Sequence, residues 1–146
     1  MRAAPLTLLL LPALLPAPRP WAVPAPDLVV IVNSASDIRS LTRNQVVDIF
    51  MGRFRQLPSG APALPIDVDD SSERAAFYRQ PAHRSLAEVG SYWARLVFSG
   101  QASPPFRASD NRAAVALVAE NPDAIAYVDR ASVTARARVV LDLGAP

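Results

Sequence analysis

Apolar positions follow two rhythms along this chain. From Leu28 to Val32 they are continuous and mostly β-branched, bounded by Asp27 and by the polar stretch Asn33 to Ser36. Continuous rather than alternating apolarity predicts a strand covered on both faces. The spacing then turns helical. Thr42 with Gln45 three residues on is a capping box, Leu41 and Val46 stand where a hydrophobic staple would, and a helix is expected from about Arg43 to Met51, stopped by Gly52. After the turn LPSGAP, Leu64 to Val68 reads as a short strand, and a helix begins near Ser71 and is interrupted by Pro81. Ser85 with Glu88 is a second capping box; Leu86, Val89, Trp93, Leu96 and Val97 then fall on one helical face, and Gly100 ends that helix. Ser103 to Phe106 reads as a loop. Asp110 caps a helix to about Glu120, with Val115, Leu117 and Val118 facing inward, before Asn121-Pro122 closes it. Ala124 to Val128 and Arg138 to Leu143 read as strands. Strands separated by helices predict an α/β domain, a mixed or parallel sheet with helices on its faces.

The N-terminus follows a different pattern. Arg2 precedes an apolar run, Leu6 to Leu15, and a Pro/Ala-rich stretch through Arg19-Pro20-Trp21-Ala22 follows. That is the layout of a secretory signal peptide, with cleavage expected after Ala22. The run is about half the roughly twenty residues a membrane-spanning helix needs. Residues 1–22 are therefore expected to be a signal, and 23–146 a single folded domain in the periplasm, not inserted in the membrane. Without Arg2 and Arg19, 13 of the 15 basic residues remain against 13 acids, so the high isoelectric point belongs to the leader. No basic excess is left to neutralise nucleic-acid phosphates in number. Cysteine is absent, which rules out disulfides and thiol chemistry.

Enzyme chemistry finds little to work with. The single histidine, His83, follows Pro81 in an expected loop, no serine lies in a G-x-S-x-G turn, and five glycines form no phosphate-loop or dinucleotide pattern. The acid-rich stretch Asp67 to Glu73 lacks the alternate spacing and the turn glycine of a calcium loop, so no metal or cofactor is expected. Asp70 and Glu73 instead have capping-box spacing at a helix start. Ser71 and Ser72 follow directly on a buried strand, where unpaired backbone N–H groups and hydroxyls suit an oxyanion; Arg74, one turn in, adds a charged donor. Among the aromatics, Trp93 and Phe77 are expected in the core, Tyr78 at the rim, and Phe106 exposed as a contact point.

Four landmarks carry a resemblance. Asp48 to Leu57, DIFMGRFRQL, is similar to the D-I-[FY]-x-G-K-I-x-x-W helix end of the periplasmic substrate-binding proteins of phosphate ABC transporters. Asn121 to Asp129, NPDAIAYVD, resembles that family's P-G-A-I-G-Y-V segment, and LVVIVN its cross-over strand. DVDDSSERAAF falls at the place of the phosphate loop, R-x-D-G-S-G-T. The resemblance implies a single lobe of the type 2 periplasmic-binding-protein fold. It matches Asp69 to the aspartate that accepts the proton of hydrogen phosphate and Ser71 to the serine donor. Other positions depart: Asp67 stands in place of the clamping arginine, Asp70 and Ser72 replace glycines, and Glu73 replaces the threonine.

The expected function is thus a secreted solute-binding domain of phosphate-transporter type. It would take phosphate or a related small oxyanion at Asp69, Ser71, Ser72 and Arg74, without turnover, beside a membrane permease or sensor. The alternative is a periplasmic interaction or sensory-partner protein that kept the lobe and lost the ligand. A metal-dependent hydrolase is the third reading.

Overall fold

The computed structural model describes residues 24–144; the expected signal peptide lies outside the described residues. The elements in chain order are β1 (Leu28–Asn33), α1 (Arg43–Phe50), β2 (Leu64–Val68), α2 (Ser71–Arg79), α3 (Leu86–Phe98), β3 (Phe106–Ala108), α4 (Asn111–Glu120), β4 (Ala124–Asp129) and β5 (Ala137–Asp142). They form one five-stranded sheet of order β3-β2-β4-β1-β5. β2 runs parallel to β3 and β4, while β1 runs antiparallel to β4 and β5. The sheet is mixed, as the alternation of strands and helices predicts.

Burial explains the continuous apolar strands. All six residues of β1 and the first five of β4 are buried, so both faces of the central sheet are covered. One face carries an aromatic cluster. Phe77 of α2 stacks on Tyr127 of β4 at 4.0 Å between ring centroids, and Phe50 of α1 packs against both rings. The two expected capping boxes form, Thr42 with Gln45 and Ser85 with Glu88, each closed in both directions.

Other expectations need correcting. Phe106 is exposed, but it opens β3 and does not end a loop, and Phe54 and Phe98 are exposed as well. Val97 is 53% exposed and Leu96 and Leu117 are half-buried, because α3 and α4 turn only a narrow stripe inward. Asp70 caps α2, but Glu73 does not reciprocate: its Oε1 accepts from Asn111 Nδ2 at 2.8 Å.

Gly52 ends α1 with φ +70°, and a Cβ there would lie 2.7 Å from Cη2 of the buried Trp93. Gly52→Ala combines a left-handed backbone with a collision in the core. It is expected to lower stability by about 2–3 kcal/mol, the backbone alone contributing 1–2. Urea denaturation checks this; a loss under 1 kcal/mol would show that Trp93 yields freely.

At one corner the ends of β1 and β5 are clasped together. Arg130, in a single 3₁₀ turn after β4, donates from Nε to Asp27 at 2.9 Å and from Nη2 to Asp142. The Leu143 N–H donates to the Leu28 carbonyl at 2.9 Å.

Candidate oxyanion site at the turn into α2

The turn from β2 into α2 is built by a change of rhythm. Ile66, Asp67 and Val68 are buried in the sheet, the next four residues are exposed, and the Asp70 side chain starts the helix. Asp70 Oδ1 accepts from the backbone N–H groups of Ser72 and Glu73, both at 2.9 Å. Two of the helix's open donors are thereby taken by the chain's own carboxylate. Among the described residues the Ser71 N–H and the hydroxyls of Ser71 and Ser72 make no hydrogen bond.

The four expected site residues do not converge on one point. Asp69 is exposed and lies 3.6 Å from Arg107 Nη1 of β3. Ser71 and Ser72 open α2 on the surface, and Ser72 lines a groove of about 420 Å³ shared with Pro24, Ala25 and Pro26. Arg74 turns the other way. Its Nε donates to Asp67 Oδ2 at 3.1 Å inside the protein, the two side chains being 18% and 5% exposed. Arg74 therefore does not present its charge at the turn as the sequence had led one to expect.

Asp67 is the centre that the sequence did not reveal. Its carboxylate accepts from Arg74, from the Tyr127 hydroxyl and, at 3.4 Å, from the Tyr78 hydroxyl. Tyr78 is thus a core residue at 1% exposure and not a rim residue. The register of β2 on β4 accounts for the pairing: Ile66 lies opposite Ala126, so the next residue along each strand brings Asp67 beside Tyr127. Burial first, and the neighbouring Asp67 charge second, push both phenols far above their usual value, so they remain donors. Desolvation works against the Arg74 cation, but the Asp67 charge and hydrogen bond outweigh it and hold the guanidinium above its ordinary value. The signal available in the sequence was a lone acid at the buried end of β2, with a tyrosine at the matching position of β4.

Electrostatics at the surface of the turn are mixed. Asp69, Asp70, Glu73 and Asp110 oppose an incoming anion, and Arg107 and the N-termini of α2 and α4 attract it. Glu73 shows the strain of this crowding. Desolvation raises its pKa, the Asn111 hydrogen bond offsets part of that, and its Oε2 is buried without a partner. Among the described residues no cluster of three His, Cys, Asp or Glu side chains is placed to hold a metal ion. Likewise, no described helix is long and apolar enough to cross a membrane.

Comparison with known proteins bears on the fold. No family model matches the sequence. No curated protein matches it. Among solved structures, one assigned as a phosphate ABC transporter substrate-binding protein, with bound phosphate, from Clostridium perfringens superposes with a TM-score of 0.63 at 20% identity. That match covers 79% of this chain and 44% of the other. An ABC-type phosphate transport receptor from Vibrio cholerae gives 0.63 at 18% identity, over 83% of this chain and 48% of that one. A structure from Planctomyces limnophilus, described as a candidate phosphate-binding protein, gives 0.56 at 14%, over 79% and 40%. This chain spans less than half the length of each. Its mixed five-stranded sheet with flanking helices has the α/β fold of the part of those structures that it covers.

Proposed function

We propose that the chain is a secreted, periplasmic solute-binding domain of phosphate-transporter type, acting by binding without turnover beside a membrane permease or sensor. The observation that carries the reading is the turn into α2, where the Ser71 N–H and the Ser71 and Ser72 hydroxyls have no partner among the described residues at a helix N-terminus. Phosphate or a related small oxyanion is the ligand class this suits. Binding is weak. Three neutral donors at about 1 kcal/mol each give a Kd on the order of millimolar, and the turn lies open to water with the Arg74 charge directed elsewhere.

Thermal unfolding of residues 23–146 in phosphate, sulfate and calcium tests this. A ligand at ten times its Kd adds about 1.4 kcal/mol, a rise of a few degrees. Phosphate is expected to produce that rise, and Ser71→Ala/Ser72→Ala to remove it; an unchanged response in the double variant would remove the site assignment.

A second reading rests on a different observation. Asp70 and Asp67 already occupy the helix donors and the guanidinium that an anion would use. On that basis the lobe serves as a ligand-independent interaction or sensory partner. It predicts no shift with any ion, together with co-purification with a membrane sensor or another envelope protein.

A further inference from the structure

We infer that Asp67 is a specificity-determining residue of the turn: it is an internal counter-anion that consumes the charge of Arg74 and so keeps the oxyanion site weak. The inference rests on the reading of the turn as an oxyanion site and concerns what limits it. Arg74 and Ser71 are three residues apart on α2 and therefore share a helix face, and side chains on a helix lean toward its N-terminus. A guanidinium at position 74 is thus placed to serve the start of α2. In the protein its Nε is drawn inward to Asp67 at 3.1 Å, while the side chain keeps 18% of its surface in solvent. Its other nitrogens have no hydrogen-bond partner among the described residues.

The pairing on Asp67 is over-determined. Tyr127 and Tyr78 donate to the same carboxylate, so Asp67 is held in place whether or not Arg74 joins them. Arg74 is the one member of the group that reaches both the interior and the surface. If residue 67 is made neutral but keeps its shape, the tyrosine hydroxyls retain an acceptor and the guanidinium loses its counter-charge. A half-buried cation without a partner recruits an anion from solvent, and a guanidinium beside a hydroxyl pair and a free N–H binds a phosphate oxyanion far better than neutral donors do. The chain therefore carries a charged oxyanion site in latent form, selective for anions with two or more acceptor oxygens.

The test compares phosphate binding by the wild type, Asp67→Asn and Asp67→Asn/Arg74→Met, using calorimetry and the phosphate dependence of Tm, with near-UV circular dichroism to establish the native fold. D67N is expected to bind inorganic phosphate at least tenfold more tightly than the wild type, and the double variant to lose that gain. A natively folded D67N with wild-type affinity overturns the inference, as does a gain that survives removal of Arg74. If D67N does not fold, Asp67→Ser, smaller and still able to accept from the tyrosines, makes the same comparison with the same two outcomes. Absence of a phosphate response in the wild type alone counts against the oxyanion reading of the turn; the D67N comparison decides the role of Asp67 separately.

Discussion

Arg74→Met is expected to lower stability by about 3 kcal/mol, and adding Asp67→Asn to it is expected to restore part of that loss. Removing one partner of a buried ion pair leaves the other charge uncompensated, typically at 3–5 kcal/mol; the lower end applies here because Arg74 keeps some contact with water. The tyrosine hydroxyls soften the loss without cancelling it, since they donate to Asp67 but carry no charge. In the double variant both charges are gone and the methionine packs against an amide. Urea denaturation of the two single variants and the double gives the coupling energy directly. Additive losses would show that Asp67 and Arg74 stabilise the protein independently, and would dissolve the pair as a unit.

The second large effect belongs to Phe77→Ala. Its ring stacks on Tyr127, meets Phe50 edge-on at 4.8 Å and Tyr78 edge-on at 5.0 Å, and is 1% exposed. Truncation removes the shared neighbour of three aromatic rings and leaves a cavity that the sheet beneath cannot fill. A loss of about 3–5 kcal/mol follows, or a fall in Tm of roughly 10–20 °C for a chain of this size. A loss under 2 kcal/mol would mean that α2 collapses onto the sheet. The substitution also acts on the site, because Phe77 fixes the two tyrosines that hold Asp67. A Phe77→Leu variant, which keeps most of the volume, should recover stability before it recovers the geometry of the tyrosines.

The fold was legible where one signal outweighed its neighbours. LVVIV has no helical alternative at that length, and the Thr42 and Ser85 boxes each mark a helix start with two reciprocal bonds. β3 was hidden because three residues, one of them an exposed phenylalanine, carry no period. At the turn, Asp69, Ser71 and Ser72 lie on the surface. Arg74 was misread because the side-chain direction of an arginine depends on its nearest carboxylate, and that carboxylate lies on another element. The same reason hid Tyr78: arginines flank it on α2 at positions 74 and 79, and the acceptor that makes burial of its hydroxyl favourable, Asp67, lies on β2. Glu73 shows the limit of a capping pattern, since Asn111 from α4 outcompetes the local partner.

The clasp at Arg130 has a use beyond closing the sheet. Exposed ion pairs of this kind contribute little stability, yet this one brings Asp27 and Gly144 so close that a Cβ on Gly144 would lie 2.3 Å from Asp27 Oδ1. Residues that lie 117 positions apart in sequence thus share a single doorway. A unit built this way can be joined between residues 27 and 144 by a short link and reopened at the exposed turn Pro58 to Gly60, without asking any strand to move. The described unit is in this sense a portable module.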